Sequence, residues 1–211
     1  MNRPVGLASS LVAATACCFA AATTTALAAD PAASPPPPPG DYRVEPDHTE
    51  VLFGVNHLGF TTYYGIFTGA SGRLHLDVSD PATSTVEVSV PVASVLTPSP
   101  KLNEELRSAA WLDAGRFPQM TFRSRRIVMT GPGAADIEGD LSLHGATHPL
   151  VLHAKFDAAG PSPTNHVITA GFTAHGVLKR SQFGVSNYVP LVGDDVRLTI
   201  SAAFERTPEA K

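Results

Sequence analysis

Cysteine is nearly absent from this sequence of 211 residues, and the two that occur stand together as Cys17 and Cys18. The chain beyond them has no thiol, which excludes disulfide staples, thiolate zinc sites and cysteine nucleophiles there. An excess of positive charge is absent too. Lysine and arginine number 15 against 19 acidic residues, a formal charge of −4. That excludes the strongly basic surface a nucleic acid requires. Neither His-Glu-x-x-His nor Gly-x-Ser-x-Gly occurs, so the zinc-peptidase helix and the hydrolase nucleophile elbow are both missing. Only one long apolar run exists, over residues 5–22.

That run sets the address. Arg3 precedes it and Ala26-Leu27-Ala28 follows it, the pattern of a signal peptide with a small-residue cleavage site. Residues 1–29 are read as this leader, with processing near Ala28 and delivery to a bacterial periplasm or the exterior. Loss of the leader removes Arg3 and leaves the chain one unit more acidic, with no transmembrane span in the mature form. A rival reading lipidates Cys17 within Ala14-Thr15-Ala16-Cys17, although a Leu-like residue is expected where Ala14 stands. Residues 30–40 contain five consecutive prolines at 35–39. Such a stretch builds no core and reads as a disordered, extended linker. Residues 207–211 read as a short tail.

The stretch 139–156 organises what remains. Ile137, Gly139, Leu141 and Leu143 alternate with Glu138, Asp140, Ser142 and His144, the period of a half-buried strand. After a break at Gly145-Ala146-Thr147, Pro149 opens a second arm. There Leu150, Leu152, Ala154 and Phe156 continue the apolar face. A lone hairpin is barely stable in water, and the chain supplies more strands. Val51, Phe53, Val55 and His57 share one face; Val86, Val88, Val90 and Val92 share another; Val196, Leu198, Ile200, Ala202 and Phe204 close the series. Residues 63–78 form one long strand interrupted by Gly65, Gly69 and Gly72, as at the corners of a curved sheet. Ser99-Pro100 starts a helix as cap and first residue, and Leu102 and Leu106 follow at helical spacing. About eight antiparallel strands and one short helix in residues 41–206 predict an all-β sandwich or barrel. Eight strands can close around one small ligand, and alternation does not say whether the interior is full or hollow.

Four stretches then carry a resemblance. They are Asp47-His48-Thr49 with Phe53-Gly54-Val55-Asn56-His57; Leu106-Arg107-Ser108 with Trp111-Leu112-Asp113 and Phe117-Pro118; Gly139 through Pro149; and Arg180-Ser181-Gln182-Phe183-Gly184 with Val192-Gly193-Asp194-Asp195. In this order the chain resembles the YceI-like family of exported, lipocalin-like, polyisoprenoid-binding proteins. His148 stands where that family often has Lys, and Trp111 where it often has Phe. The resemblance implies an eight-stranded antiparallel barrel with the helix near one mouth. It also implies an apolar tunnel for a long isoprenoid lipid or quinone, and it leaves a homodimer open. On that expectation Phe53, Val55, Phe67, Met120, Phe122, Leu141 and Leu143 line the tunnel. Leu106 and Trp111 cap a mouth, Phe183 belongs to a rim loop, and His57, Thr97 and Arg180 stand at the head-group end.

Other chemistry is weaker. Eight histidines invite a metal reading, but His144 and His148 flank a turn instead of sharing a helical face, and surface histidines are the commoner case. No metal and no cofactor beyond a bound isoprenoid lipid is expected. His57 is either a satisfied core histidine or a ligand for a head group. Arg180 either pairs with a phosphate or carbonyl, or pins its own loop to a carboxylate. Three classes of function stand: a lipid-binding carrier that is not an enzyme, a hydrolase or isomerase acting on a small lipid, and a stress-response envelope protein with an incidental pocket.

Overall fold

The computed structural model describes residues 35–208. The leader with Cys17, the first part of the linker and residues 209–211 lie outside the described residues. The strands are β1 (Gly40–Val44), β2 (Glu50–His57), β3 (Thr61–Phe67), β4 (Ser71–Leu76), β5 (Thr85–Pro91), β6 (Gln119–Gly131), β7 (Ala134–Leu143), β8 (Ala146–Pro161), β9 (Ile168–Lys179) and β10 (Val192–Arg206). One helix, α1 (Pro100–Arg107), lies between β5 and β6.

The ring runs β1-β4-β5-β6-β7-β8-β9-β10, and β1 pairs back onto β10. Eight strands therefore close, all antiparallel, and closure removes the free edge that an open sheet would expose. β2 and β3 are continuations of two of these staves. β1 leaves β10 at Phe204, and β2 takes over from Ser201 to Val192. The break between them is a single turn at Pro46–His48, held by the Glu45 carboxylate, which accepts from the N–H of Asp47 and His48 at 3.2 and 2.8 Å. The break between β3 and β4 falls at Gly69, with φ of 68°. The single bent strand expected over 63–78 is thus two segments joined by a left-handed glycine.

Register carries the apolar alternation around the inside. Phe122 faces Leu141 and Val88, Leu152 faces Ile137, Phe172 faces Phe156 and Ala202, and Leu198 faces Phe53. Outside, ion pairs such as Arg73 and Arg123 with Glu87 occupy the wet face. The turn of the central hairpin is His144-Gly145, with φ of 51° and 79°. β8 accordingly begins at Ala146, earlier than Pro149.

α1 starts where Ser99-Pro100 predicts. The Ser99 hydroxyl accepts from the Leu102 N–H at 3.3 Å, which satisfies one of the first-turn donors. The helix stops at Arg107, and an irregular return through Trp111 and Leu112 leads to β6. On this side β3 and β6 do not pair. Instead Leu96 bridges Ile66, with reciprocal backbone bonds of 2.9 Å, so the segment before α1 completes the wall.

Candidate functional site

The candidate site is the barrel interior. Its two ends are tightly packed; in the middle Leu152 and Ala174 are buried as well, but several of their inward neighbours are not. At one end Tyr42, Val44, Leu74, Ala170 and Phe204 are buried; at the helix end Val92, Val95, Leu112, Phe183 and Val185 are buried. Between them Phe53, Ile137, Ala154, Phe172, Leu198 and Ile200 point inward and pack against that core, yet remain only half-buried. Close-packed cores leave few voids. An inward apolar face that keeps accessible surface marks room for apolar matter. The inward face of β10 from Val196 to Phe204 spans about 27 Å at ~3.4 Å per residue, which suits a long, thin guest.

Two glycines shape this wall. A Cβ on Gly65 would lie 2.3 Å from the Phe53 ring, and one on Gly139 would lie 2.4 Å from Phe122. Both rings therefore lie against bare backbone of a neighbouring strand. Phe53 also meets Phe67 at 5.4 Å between ring centres.

Most of the expected lining residues come together here. Phe67, Phe122, Leu141 and Leu143 are buried in the core, and Phe53, Met120, Leu106 and Trp111 pack against it, half-buried. Val55 shares their face, opposite Val196 and Tyr63. His57 is half-buried at the helix end, its ring 5.9 Å from Tyr63.

The remaining expected residues have other work. Thr97 accepts from the Ser99 N–H at 3.2 Å and donates to Asn103 Oδ1 at 2.7 Å, which fixes the entry to α1. It lines an open outer groove of about 430 Å³ with Leu52 and Tyr64, not the interior. Arg180 is buried and gives four hydrogen bonds to backbone carbonyls: Nε to Gly193, Nη1 to Val185, and Nη2 to Asn187 and Val192, all at 2.8–2.9 Å. Burial pulls its pKa down, and the Asp194 carboxylate opposes that. Its partners are carbonyls rather than the carboxylate expected of a pin, and they hold the whole 184–193 loop. Its guanidinium also lies 5.7 Å over the Trp111 ring.

Asp194 fastens the same corner. Its carboxylate accepts from the Ser181 N–H and hydroxyl, each at 2.8 Å. Burial raises its pKa, but these bonds, with Lys179 and Arg180 nearby, leave it below the usual value.

Two histidines read as surface residues are half-buried supports. His144 Nδ1 donates to the Phe183 carbonyl at 2.8 Å, and the His148 ring meets the Phe183 ring edge-on at 5.1 Å. The expected lining also omitted Phe204, which is in the core, and Phe172, which packs against it at 6.0 Å between ring centres and meets the Phe156 ring at 5.7 Å. Alternation along β8, β9 and β10 was the available signal. Among the described residues no three His, Cys, Asp or Glu side chains converge as a metal site. No helix among them is long and apolar enough to cross a membrane.

Comparison with known proteins gives a consistent set. The model of the YceI-like domain matches residues 42–204. A UPF0312 protein of Ectopseudomonas mendocina (strain ymp) is 34% identical over 163 residues, covering 76% of this chain and 85% of that protein. Protein YceI of Escherichia coli O157:H7 is 34% identical and is covered over 84% of its length. Among solved structures, Burkholderia cenocepacia BcnA superposes with a TM-score of 0.68 at 21% identity, covering 76% of this chain and 98% of that one. A polyisoprenoid binding domain from Saccharophagus degradans, implicated in plant cell wall breakdown, superposes with a TM-score of 0.56 at 12% identity, over 79% and 98% of the two chains.

Proposed function

The chain belongs to the YceI-like family, and on that premise we propose that it is an exported binding protein for a long-chain isoprenoid lipid of the polyprenyl or quinone type. The observation that carries this reading is the half-buried, inward apolar face between two packed ends. Such a face recognises hydrocarbon by burial alone. Each buried CH₂ contributes about 0.8 kcal/mol, so chain length dominates affinity and the head group sets direction. The polyisoprenoid binding described for the Saccharophagus relative supports the ligand class. A carrier or sink is favoured because the interior offers few polar groups beyond His57 and Tyr63 at one end.

Titration with a homologous prenyl alcohol series tests this. Each isoprene unit removed takes away five carbons, so binding should weaken by at least tenfold and by up to about a thousandfold where the unit is fully buried. Phe122→Asp or Leu143→Asp should abolish binding while circular dichroism stays β-dominated. Equal affinity for short and long chains would sink the tunnel reading. Export is checked separately: intact mass of protein from the envelope should place the N-terminus at Ala29 or Asp30. A fatty-acylated Cys17 would overturn that.

A further inference from the structure

We propose that the helix end of the barrel docks on an uncharged lipid bilayer through the apolar tips of the β2–β3 turn and the loop before β10. This inference rests on the lipid-carrier reading above, and it names where the ligand is exchanged.

Phe60 is 87% exposed, Tyr188 and Leu191 are 65% exposed, and Leu58 is 47% exposed. Single exposed apolar residues are ordinary, but a gathered set marks an interaction site. These are gathered. The Leu58 N–H donates to the Leu191 carbonyl at 2.9 Å, tying the turn to the loop. Tyr188 stands 6.2 Å from Trp111, and Asn187 Nδ2 donates to the Ala110 carbonyl, tying the loop to the return after α1. Leu58 and Tyr188 have φ of 58° and 61°, left-handed positions that Asn or Gly occupies with less strain. Bulky apolar side chains stand there and face solvent.

Charge selects the partner. No Asp, Glu, Lys or Arg occurs from residue 51 to 72 or from 181 to 193. The chain as a whole carries a formal −4, which gives it no attraction to anionic lipid. Uncharged Phe, Tyr and Leu tips suit the boundary between head groups and acyl chains, where aromatic side chains concentrate. The four side chains expose on the order of 500 Å². That falls short of the roughly 800 Å² that each partner of a stable protein pair buries, so insertion is favoured over pairing with a second copy. His57, Tyr63 and Leu106 lie at the same end, so docking brings the bilayer to the tunnel mouth.

The test is co-flotation of the processed chain with phosphatidylcholine vesicles at low and high salt. Wild type should float equally at both, and Phe60→Ser with Leu191→Ser should reduce flotation at least tenfold. Trp111, the single tryptophan, should be quenched by brominated phosphatidylcholine in the wild type only. Both proteins should bind detergent-delivered prenyl alcohol alike, while transfer from vesicles slows at least tenfold in the variant. Equal flotation of variant and wild type would overturn the proposal. So would flotation that needs phosphatidylglycerol and vanishes in salt, or a dimer in solution that the two substitutions dissolve. If detergent-delivered prenyl alcohol binds neither protein while salt-independent flotation persists, the carrier reading falls and the docking stands.

Discussion

Arg180 shows what a single residue does here. Its planar fork gives hydrogen bonds to carbonyls from four points of one loop, a geometry that a lysine ammonium cannot reproduce. Arg180→Ala should lower stability by about 3 kcal/mol, because buried carbonyls lose their donors. Arg180→Lys should recover little of it. Urea unfolding of both variants checks this, and a loss under 1 kcal/mol would show that water replaces the fork. Binding of a prenyl chain should weaken through loosening of the rim, with little preference among head groups. Thr49 is a smaller case of the same kind: it is buried, and it accepts from the Ala203 N–H at 3.1 Å where β1 gives way to β2. Short polar side chains stitch the barrel where its staves break.

Among elements, β7 and β10 illustrate two kinds of inward face. Leu141 on β7 is buried at 7% exposure beside Phe122. Leu198 on β10 faces inward between Phe53 and Gly176 but is only half-buried. Leu141→Ala should therefore cost about 2–5 kcal/mol, as in a packed core. Leu198→Ala should cost roughly 1 kcal/mol in the empty protein, because less surface leaves water there. Thermal unfolding should reveal the difference, and a saturating prenyl lipid should widen the cost at Leu198 by filling the space beside it. Equal costs without ligand would mean the interior is already full. The face assignment of β7 was legible from alternation, because from Asp136 to Leu143 each inward residue is apolar and each outward one is polar.

At the scale of the molecule, the barrel is a closed wall with well-packed ends and a middle where buried and half-buried inward side chains alternate. Closure depends on β10, which pairs with β9 along one side and with β1 and then β2 along the other. Glu205, buried near the closure, accepts from Asn165 Nδ2 at 2.7 Å and Arg43 Nη2 at 3.1 Å, so a carboxylate is satisfied where the ring seals. The opposite end carries α1, the Arg180-held loop and the exposed tips. That polarity gives the molecule one end sealed by the ring closure and, on the docking proposed above, one end where ligand is exchanged.

The sequence alone determined the alternating strands, the apolar face of each and the Ser99 helix start, because these depend on neighbours two to four residues apart. Tertiary structure decided the rest. His144 and Phe183 are separated by 39 positions, and Asn187 and Ala110 by 77, so no periodicity links them. The role of Arg180 turned on which carbonyls a loop would fold back to offer. Whether the interior is filled depended on how inward side chains from eight strands share one volume. Alternation assigns a face to each residue; only closure of the ring fixes how much space those faces enclose.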